Sequence, residues 1–491
     1  MKTRSPAASV RFSCALLATV SWLSPLSAAS ADSHSAVISA IERATPRANE
    51  DARLLWDWAE LGYLEQRSAA RLAETLRAAG FTIEMGVGGI PTAFVASYGS
   101  GEPVVGILAE YDALPAMAQD AAPERSATDH SASGHACGHN LFGAGSALAA
   151  IAVKEALVAT GGAGTIKFFG CPAEEGGGGK VHLSRAGVFA GCDAILSWHP
   201  GDANFAIAAG NLANVSARFR YTGVAAHASV NPWSGRSALD GLMLTAHALD
   251  MLREHMPDGA RIHYTVTRGG GAPNVVPADA ELYLYARHAN PDELRDLWKR
   301  VLACGEAGAL GTGTTMAVTV VNSNYARLPN MPLAKLYDRH LRASGGIVYT
   351  PEEHAFAEKL HTTLPASARA LGTERDIQPI MEKTTSGSSD VADVSWQAPT
   401  GEMNTACLVP GTPAHSWQVV AAGGMSIGEK GMVLAARVLA LSAVDLLSDA
   451  ALRAEVAADF ERRKAGRTYQ SLLPADAKPP LDYRANGGGE L

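Results

Sequence analysis

Cys137 and His139, in the stretch SGHACGHNLFGAG, stand on either side of a single glycine. A cysteine so placed could enter a disulfide, but a thiol among imidazoles is also donor chemistry for zinc or a similar first-row ion. Glu174 and Glu175 follow a proline in CPAEEGGGGK. Adjacent side chains diverge, so one carboxylate can hold a cation while the other faces a bound water. His199 in LSWHPG and His415 in VPGTPAHSWQ complete the set. Each of these residues alone has an ordinary structural explanation, such as a solvated acidic loop or a lone structural histidine. Together Cys137, His139, Glu175, His199 and His415 are five donors, more than one tetrahedral ion takes, and they point to a pair of divalent ions. Two ions can activate one water and polarise one carbonyl. Glu174 is then placed to act as general base.

Donors this far apart in sequence need a scaffold that ends several strands at one edge. RLLWDWAELGYLEQRSAARLAETLRAAGF carries helical periodicity as far as Gly80. PVVGILAEYDALP reads as a buried strand, FGAGSALAAIAVKEALVATGG as an apolar helix, and GTIKFFGCPAEE and DAILSWHPG as two more strands. Alternating strands and helices, with polar residues at the strand exits, predict an α/β sheet with its site at the carboxyl ends. The middle of the chain changes period. NVSARFRYT, RIHYTVT and AELYLYARH alternate as half-covered strands, and SALDGLMLTAHALDMLREHM places Leu239, Leu242, Met243, Ala246 and Leu249 on one helical face. Asn290 caps a helix that opens with Pro291, and TTMAVTVVNS follows. The order is βαββαβ, a ferredoxin-like unit at 211–325 inserted into a discontinuous α/β domain of residues 32–210 and 326–491.

The N-terminus carries Lys2, Arg4 and Arg11, a short apolar core, and the small residues Ala29-Ser30-Ala31 before Asp32. That is a secretory signal peptide over residues 1–31, and it places the mature protein in the periplasm. No later stretch has the roughly 18 uninterrupted apolar residues of a membrane span. A formal net charge of −8 argues against nucleic acid as a partner. Cleavage of the leader removes Cys14 and leaves Cys137, Cys171, Cys192, Cys304 and Cys407, an odd number that excludes a disulfide scaffold. A single Cys171–Cys192 bridge and two separate buried thiols both remain open.

The motifs GHACGHNLFG, GCPAEEGGGGKV, WHPGD, GRSALDG, GGGAPNVVP, DVADVSW and GTPAHSWQ together resemble the M20 metallopeptidases. The resemblance spans nearly the whole mature chain. It is closest to the amidohydrolase branch and, within it, to the p-aminobenzoyl-glutamate hydrolase B-subunit group. It implies a mixed sheet flanked by helices with an inserted lid domain, two zinc or manganese ions per subunit, and a homodimer formed through the lid. The metal ligands it implies are Cys137, with a bridging place, His139, Glu175, His199 and His415, with Glu174 as base. Asp112 and His135 become supports for the ligands, with Glu110 where many relatives have a histidine. Asp112 could equally be a turn residue, and Asp390 either lines the site or caps a helix. His227 is implied to stabilise the oxyanion, often in a partner subunit's site, while Asn274 and Arg287 match positions that hold a substrate carboxylate. The expected substrate is an N-acyl or aromatic-acyl amino acid. A dipeptidase for basic or β-alanyl dipeptides is the nearest alternative, and a periplasmic solute-binding protein a remote one.

Overall fold

The computed structural model describes residue 1, residues 25–126 and residues 132–484, with 25–31 given as helix backbone alone. The expected leader therefore lies outside the described residues over 2–24, and from Pro25 the chain runs in the helix Pro25–Trp58. An eight-stranded sheet organises the larger part of the molecule. Its central strands, Gly164–Gly170, Val104–Ala109, Ala194–Leu196 and Thr400–Ala406, are parallel to one another in that order. Phe94–Ser100 and Thr82–Met85 extend one side antiparallel, so the sheet is mixed. Val104–Ala109 and Ala194–Leu196 are continuous apolar runs because both faces are covered. The helix His139–Thr160 packs between the sheet and the helices Pro25–Trp58 and Ser426–Ser448 in one large core.

Two of these core helices, His139–Thr160 and Ser426–Ser448, are long and apolar enough to cross a membrane. Yet 78% and 83% of their most apolar windows are buried inside the fold. A helix enclosed on all sides is apolar all round, whatever encloses it.

A separate four-stranded antiparallel sheet is built from Ala213–Thr222, Arg261–Arg268, Asp279–His288 and Thr315–Asn324. With helices Ala238–Leu252 and Pro291–Thr312 in sequence order, the pattern is βαββαβ, and the chain's second and third strands lie on one side of its first, the fourth on the other. Phe219, Leu282, Leu284, Leu242 and Val301 form its own core. The Asn290 side chain accepts from the Asp292 backbone N–H, and Pro291 opens the helix. Met243, placed by periodicity on the buried face of its helix, is instead exposed. At 100° per residue it sits at the edge of the stripe that Leu242, Ala246 and Leu249 bury.

The helical reading of residues 53–80 is also corrected: one helix stops at Trp58 and the next begins at Gln66. Between them Ala59 and Tyr63 adopt left-handed φ values of 40° and 64°. The Glu60 carboxylate accepts from the backbone N–H groups of Arg67 and Ser68 at 3.1 and 2.8 Å. Those are unsatisfied donors of a helix start, so Glu60 caps the second helix rather than continuing the first.

The tail after helix Ala450–Lys464, to which the sequence assigns no role, folds back along the molecule. Tyr469 Oη donates to Asp393 Oδ1 at 2.7 Å, and Arg185 donates to the Ala475 and Ala477 carbonyls. Burial pushes the Asp393 carboxyl up to about 7, against the hydrogen bonds from Tyr469 and the Tyr325 backbone N–H. Its unfolded pKa is about 3.9, so between those values the folded state binds the extra proton and stability falls as pH rises. The slope reaches about 1.4 kcal/mol per pH unit. Asp393→Asn should remove it. Urea unfolding at pH 5 and pH 7.5 reads this as a gain of the variant relative to wild type at the higher pH; parallel pH profiles would refute it.

Candidate active site

Gly138 has φ 77°, so the chain turns left-handed between Cys137 and His139, and a Cβ there would lie 2.8 Å from Pro200 Cβ. The turn needs glycine on both counts. His139 opens the long core helix, while Cys137 Sγ lies 3.4 Å from His199 Nε2. His199 does not end the strand Ala194–Leu196 but opens the short strand His199–Gly201, held beside Asn404–Ala406. Its Nδ1 bonds the Pro200 carbonyl at 2.8 Å, which leaves Nε2 facing Cys137. Ala173 and His415, flanking the other donors, have φ values of 58° and 54°. Non-glycine residues in that region carry strain of about 1–3 kcal/mol, typical of residues held for function. The His415 backbone N–H donates to the Ala136 carbonyl at 3.0 Å, and its Nε2 lies 3.4 Å from Glu175 Oε1.

These turns bring five of the expected donors to one place. Cys137, His139 and His199 form one group whose donor atoms lie within 4.8 Å of one another, and Cys137, Glu175 and His415 form a second. Cys137 belongs to both. Glu175 Oε1 and His139 Nε2 are buried and incompletely satisfied: His415 Nε2 lies 3.4 Å from the first and Glu110 Oε2 3.1 Å from the second, neither well aligned. Unsatisfied buried polar atoms are costly unless something binds them. Thiol, imidazole and carboxylate donors so disposed fit two first-row divalent ions.

The supports are specific. Asp112 Oδ1 bonds His139 Nδ1 at 2.9 Å and turns Nε2 toward the centre, while Oδ2 accepts from the Glu175 backbone N–H at 2.8 Å. One buried carboxylate thus orients two donors. His135 bonds the Leu55 carbonyl at 3.0 Å behind them, and burial together with the charge on His139 pulls its pKa down to about 4. Glu65 and Tyr63, which periodicity places on a helix, hold the acidic loop: Glu65 accepts from Ala173 N–H and Tyr63 donates to the Gly177 carbonyl, both at 2.8 Å. No sequence signal marks them, since the helical pattern runs unbroken through the loop they sit in.

Glu174 and Glu175 have opposite electrostatics. Burial, reinforced by the charges of Glu110, Glu175 and Asp390, holds the Glu174 carboxyl well above the usual carboxylate range. Burial also pushes Glu175 upward, but the hydrogen bond with His415 and the charges of His139 and His415 outweigh it and hold Glu175 low. Burial raises the Cys137 thiol, with Glu175 adding to the effect. Burial lowers His199, which keeps its imidazole in the neutral, donor form.

Lys180 is a site residue that the sequence does not single out. It is wholly buried, with Nζ 2.6 Å from both Glu110 Oε1 and Asp390 Oδ1. Burial alone would lower its pKa, and the two carboxylates overcome that and raise it. Asp390 makes no side-chain cap bond to the helix Val391–Val394; its second oxygen accepts from Lys180 N–H at 2.9 Å, so the helix-cap alternative falls. Cys171 and Cys192 are free thiols in one apolar cluster, which removes the bridge alternative.

A pocket of about 350 Å³ opens over this centre, lined by Glu174, Glu175, Cys137, His199 and His415, with Arg287 and Tyr285 from the four-stranded sheet opposite. Arg287 Nη1 donates to Ser388 Oγ at 3.3 Å, and its buried Nε has no hydrogen-bond partner among the described residues. His227 and Asn274 are not brought here. Both are on neighbouring loops of the four-stranded unit, where His227 Nδ1 accepts from the Ser229 and Val230 N–H groups at 3.3 Å. Within one chain they do not line the pocket.

Residues 106–419 match the model of peptidase family M20/M25/M40. The chain is 37% identical to the B-type subunit of p-aminobenzoyl-glutamate hydrolase from Escherichia coli over 90% of its own length and 97% of that protein's. It is 30% identical to the Xaa-Arg dipeptidase of Mus musculus over 86% and 90% of the two lengths. A Bacillus subtilis dinuclear metal binding peptidase from the M20 family superposes with a TM-score of 0.56 at 17% identity, covering 83% of this chain and 99% of that one.

Proposed function

Because the chain belongs to the M20/M25/M40 peptidase family and is a hydrolase of amide or peptide bonds, we propose that it is a binuclear amidohydrolase that releases an amino acid from an N-acyl, aromatic-acyl substrate of the p-aminobenzoyl-glutamate type. Membership removes the solute-binding alternative. The observation that carries the proposal is the pair of donor groups sharing Cys137, set against Glu174 in one pocket with Arg287. Cys137, His139, Glu175, His199 and His415 would hold two ions, zinc or manganese. When bound, the pair supplies Lewis-acid activation of water and of the amide carbonyl.

Glu174 takes the proton of the attacking water and hands it to the leaving nitrogen as the C–N bond breaks, leaving a carboxylic acid and an amino acid. Arg287 pairs with the carboxylate of the amino acid portion. The four-stranded unit serves as an inserted, ferredoxin-like lid through which two copies pair. Trp233, Met243, Leu244, Met251 and Leu310, all on that unit, are exposed apolar side chains of the kind a second copy covers. His227 and Asn274 on its loops would then complete the partner's site, His227 at the oxyanion.

The Xaa-Arg dipeptidase relative favours a second reading, cleavage of basic dipeptides. The cationic Arg287 in the pocket opposes a basic side chain there. One experiment decides. Protein purified from the periplasm, with an intact mass beginning at Asp32, is analysed for metal and assayed on N-aroyl-glutamates, N-acetyl amino acids, and basic and β-alanyl dipeptides. N-aroyl-glutamate is the preferred substrate, turnover stops on chelation, and it returns with zinc or manganese. Undiminished turnover in chelator, or preference for the dipeptides, would defeat the proposal.

A further inference from the structure

A second chamber, of about 400 Å³, adjoins the catalytic pocket. Gly176, Tyr285 and Asn322 line both, so the two spaces meet across the acidic loop. One wall of the chamber is the face of the four-stranded sheet that carries Arg218 and Tyr283; the other is the C-terminal tail, through Lys478, Tyr483 and Arg484. The tail is anchored at the catalytic loop itself. Tyr483 Oη and Arg484 Nη2 both donate to the Glu175 carbonyl, at 2.9 and 3.2 Å, and the Tyr483 ring packs edge-on against Tyr63.

The chamber is cationic in a way its own structure does not neutralise. Arg218 is paired with Glu281 at 2.6 Å and Arg268 with Asp279 at 2.8 Å. Lys478 and Arg484 have no carboxylate partner among the described residues. Arg484 is only 8% exposed, and its buried Nε has no hydrogen-bond partner among the described residues. A guanidinium left part-satisfied in a cavity is costly, and a carboxylate is the group whose geometry satisfies it. Tyr283 and Tyr483 add flat apolar surface beside these charges. The volume suits a small ring or a short acidic chain.

We propose that this tail-walled chamber is a subsite for an anionic arm of the substrate, distinct from the carboxylate held by Arg287. The inference rests on the amidohydrolase reading for its reaction but not for its binding chemistry. The arm is a second carboxylate, carried either on the side chain of the released amino acid or on the acyl group. Three probes separate these sources: N-benzoyl-glycine, with no second carboxylate; N-benzoyl-glutamate, with one on the amino acid; and N-(4-carboxybenzoyl)-glycine, with one on the acyl group.

One of the two dicarboxylates has a kcat/KM about tenfold or more above that of N-benzoyl-glycine, and which one identifies the arm. Lys478→Glu, a change on the tail wall, lowers that ratio about five- to tenfold, and Lys478→Arg retains it. Equal kcat/KM for all three probes, or wild-type ratios in Lys478→Glu, overturns the subsite. If none of the three is turned over, the amidohydrolase reading fails instead. The same compounds are then titrated calorimetrically into that protein. The chamber stands only if a dicarboxylate binds more tightly than N-benzoyl-glycine and Lys478→Glu removes the difference.

Discussion

Glu174→Gln lowers kcat by about a thousandfold or more while metal content and the unfolding midpoint stay at wild-type values. The expectation comes from what each carboxylate in the pocket is free to do. Glu110 is tied to Lys180 at 2.6 Å, and Glu175 is turned toward His415 with its backbone held by Asp112, Tyr483 and Arg484. Glu174 lines the pocket beside them, and it is the carboxylate whose proton affinity burial and neighbouring charge raise. A base with raised affinity can accept a proton from water and later give it to an amine. Glutamine keeps the size and the hydrogen bonding but cannot carry the proton. A purely ligating role would show the opposite result, with metal lost and partial activity regained at high metal concentration. Turnover within tenfold of wild type would end the assignment of Glu174 as base.

The donors of this site could be read from sequence because metal chemistry admits few residue types. Cys137, His139, Glu175, His199 and His415 are the kinds of side chain that bind such ions, and the glycine between the first two is required by the turn at Gly138. The strands that lead to them could be read where they are buried apolar runs, as in Val104–Ala109 and Ala194–Leu196. What could not be read depends on contacts between distant segments. Glu60 looks like one more helical residue until its carboxylate is seen capping Arg67 and Ser68. The tail resembles a frayed proline-rich end, yet Tyr483 reaches a carbonyl 308 positions earlier. His227 and Asn274 are assigned to the site by resemblance alone, and in a single chain they lie apart from the pocket.

Lys180→Met is the substitution with the largest expected effect on stability. Lysine in a glycine-rich loop gives no hint of burial, because its partners Glu110 and Asp390 are fixed only by the tertiary fold. Removing the ammonium takes away the cation that the buried carboxylates of Glu110 and Asp390 share, and breaking a buried pair in this way costs about 3–5 kcal/mol. Methionine fills much of the volume, so the loss is electrostatic rather than a cavity. The pH dependence distinguishes this cause from misfolding. Burial already holds Asp390 above the usual carboxylate range, with Lys180 opposing it. Without Lys180 the folded-state pKa of Asp390 rises further above its unfolded value. The folded variant then binds more protons than the unfolded chain, so its stability is greatest at low pH and is lost as pH rises through the raised value. Urea midpoints at pH 5.5 and pH 8 read the result: a deficit against wild type that is largest at pH 8 and narrows at pH 5.5. Adding Glu110→Gln, which removes one of the two stranded charges, recovers part of the deficit at pH 8. A deficit equal at both pH values, or none at either, would mean that Lys180 does not neutralise the acids beneath the active site.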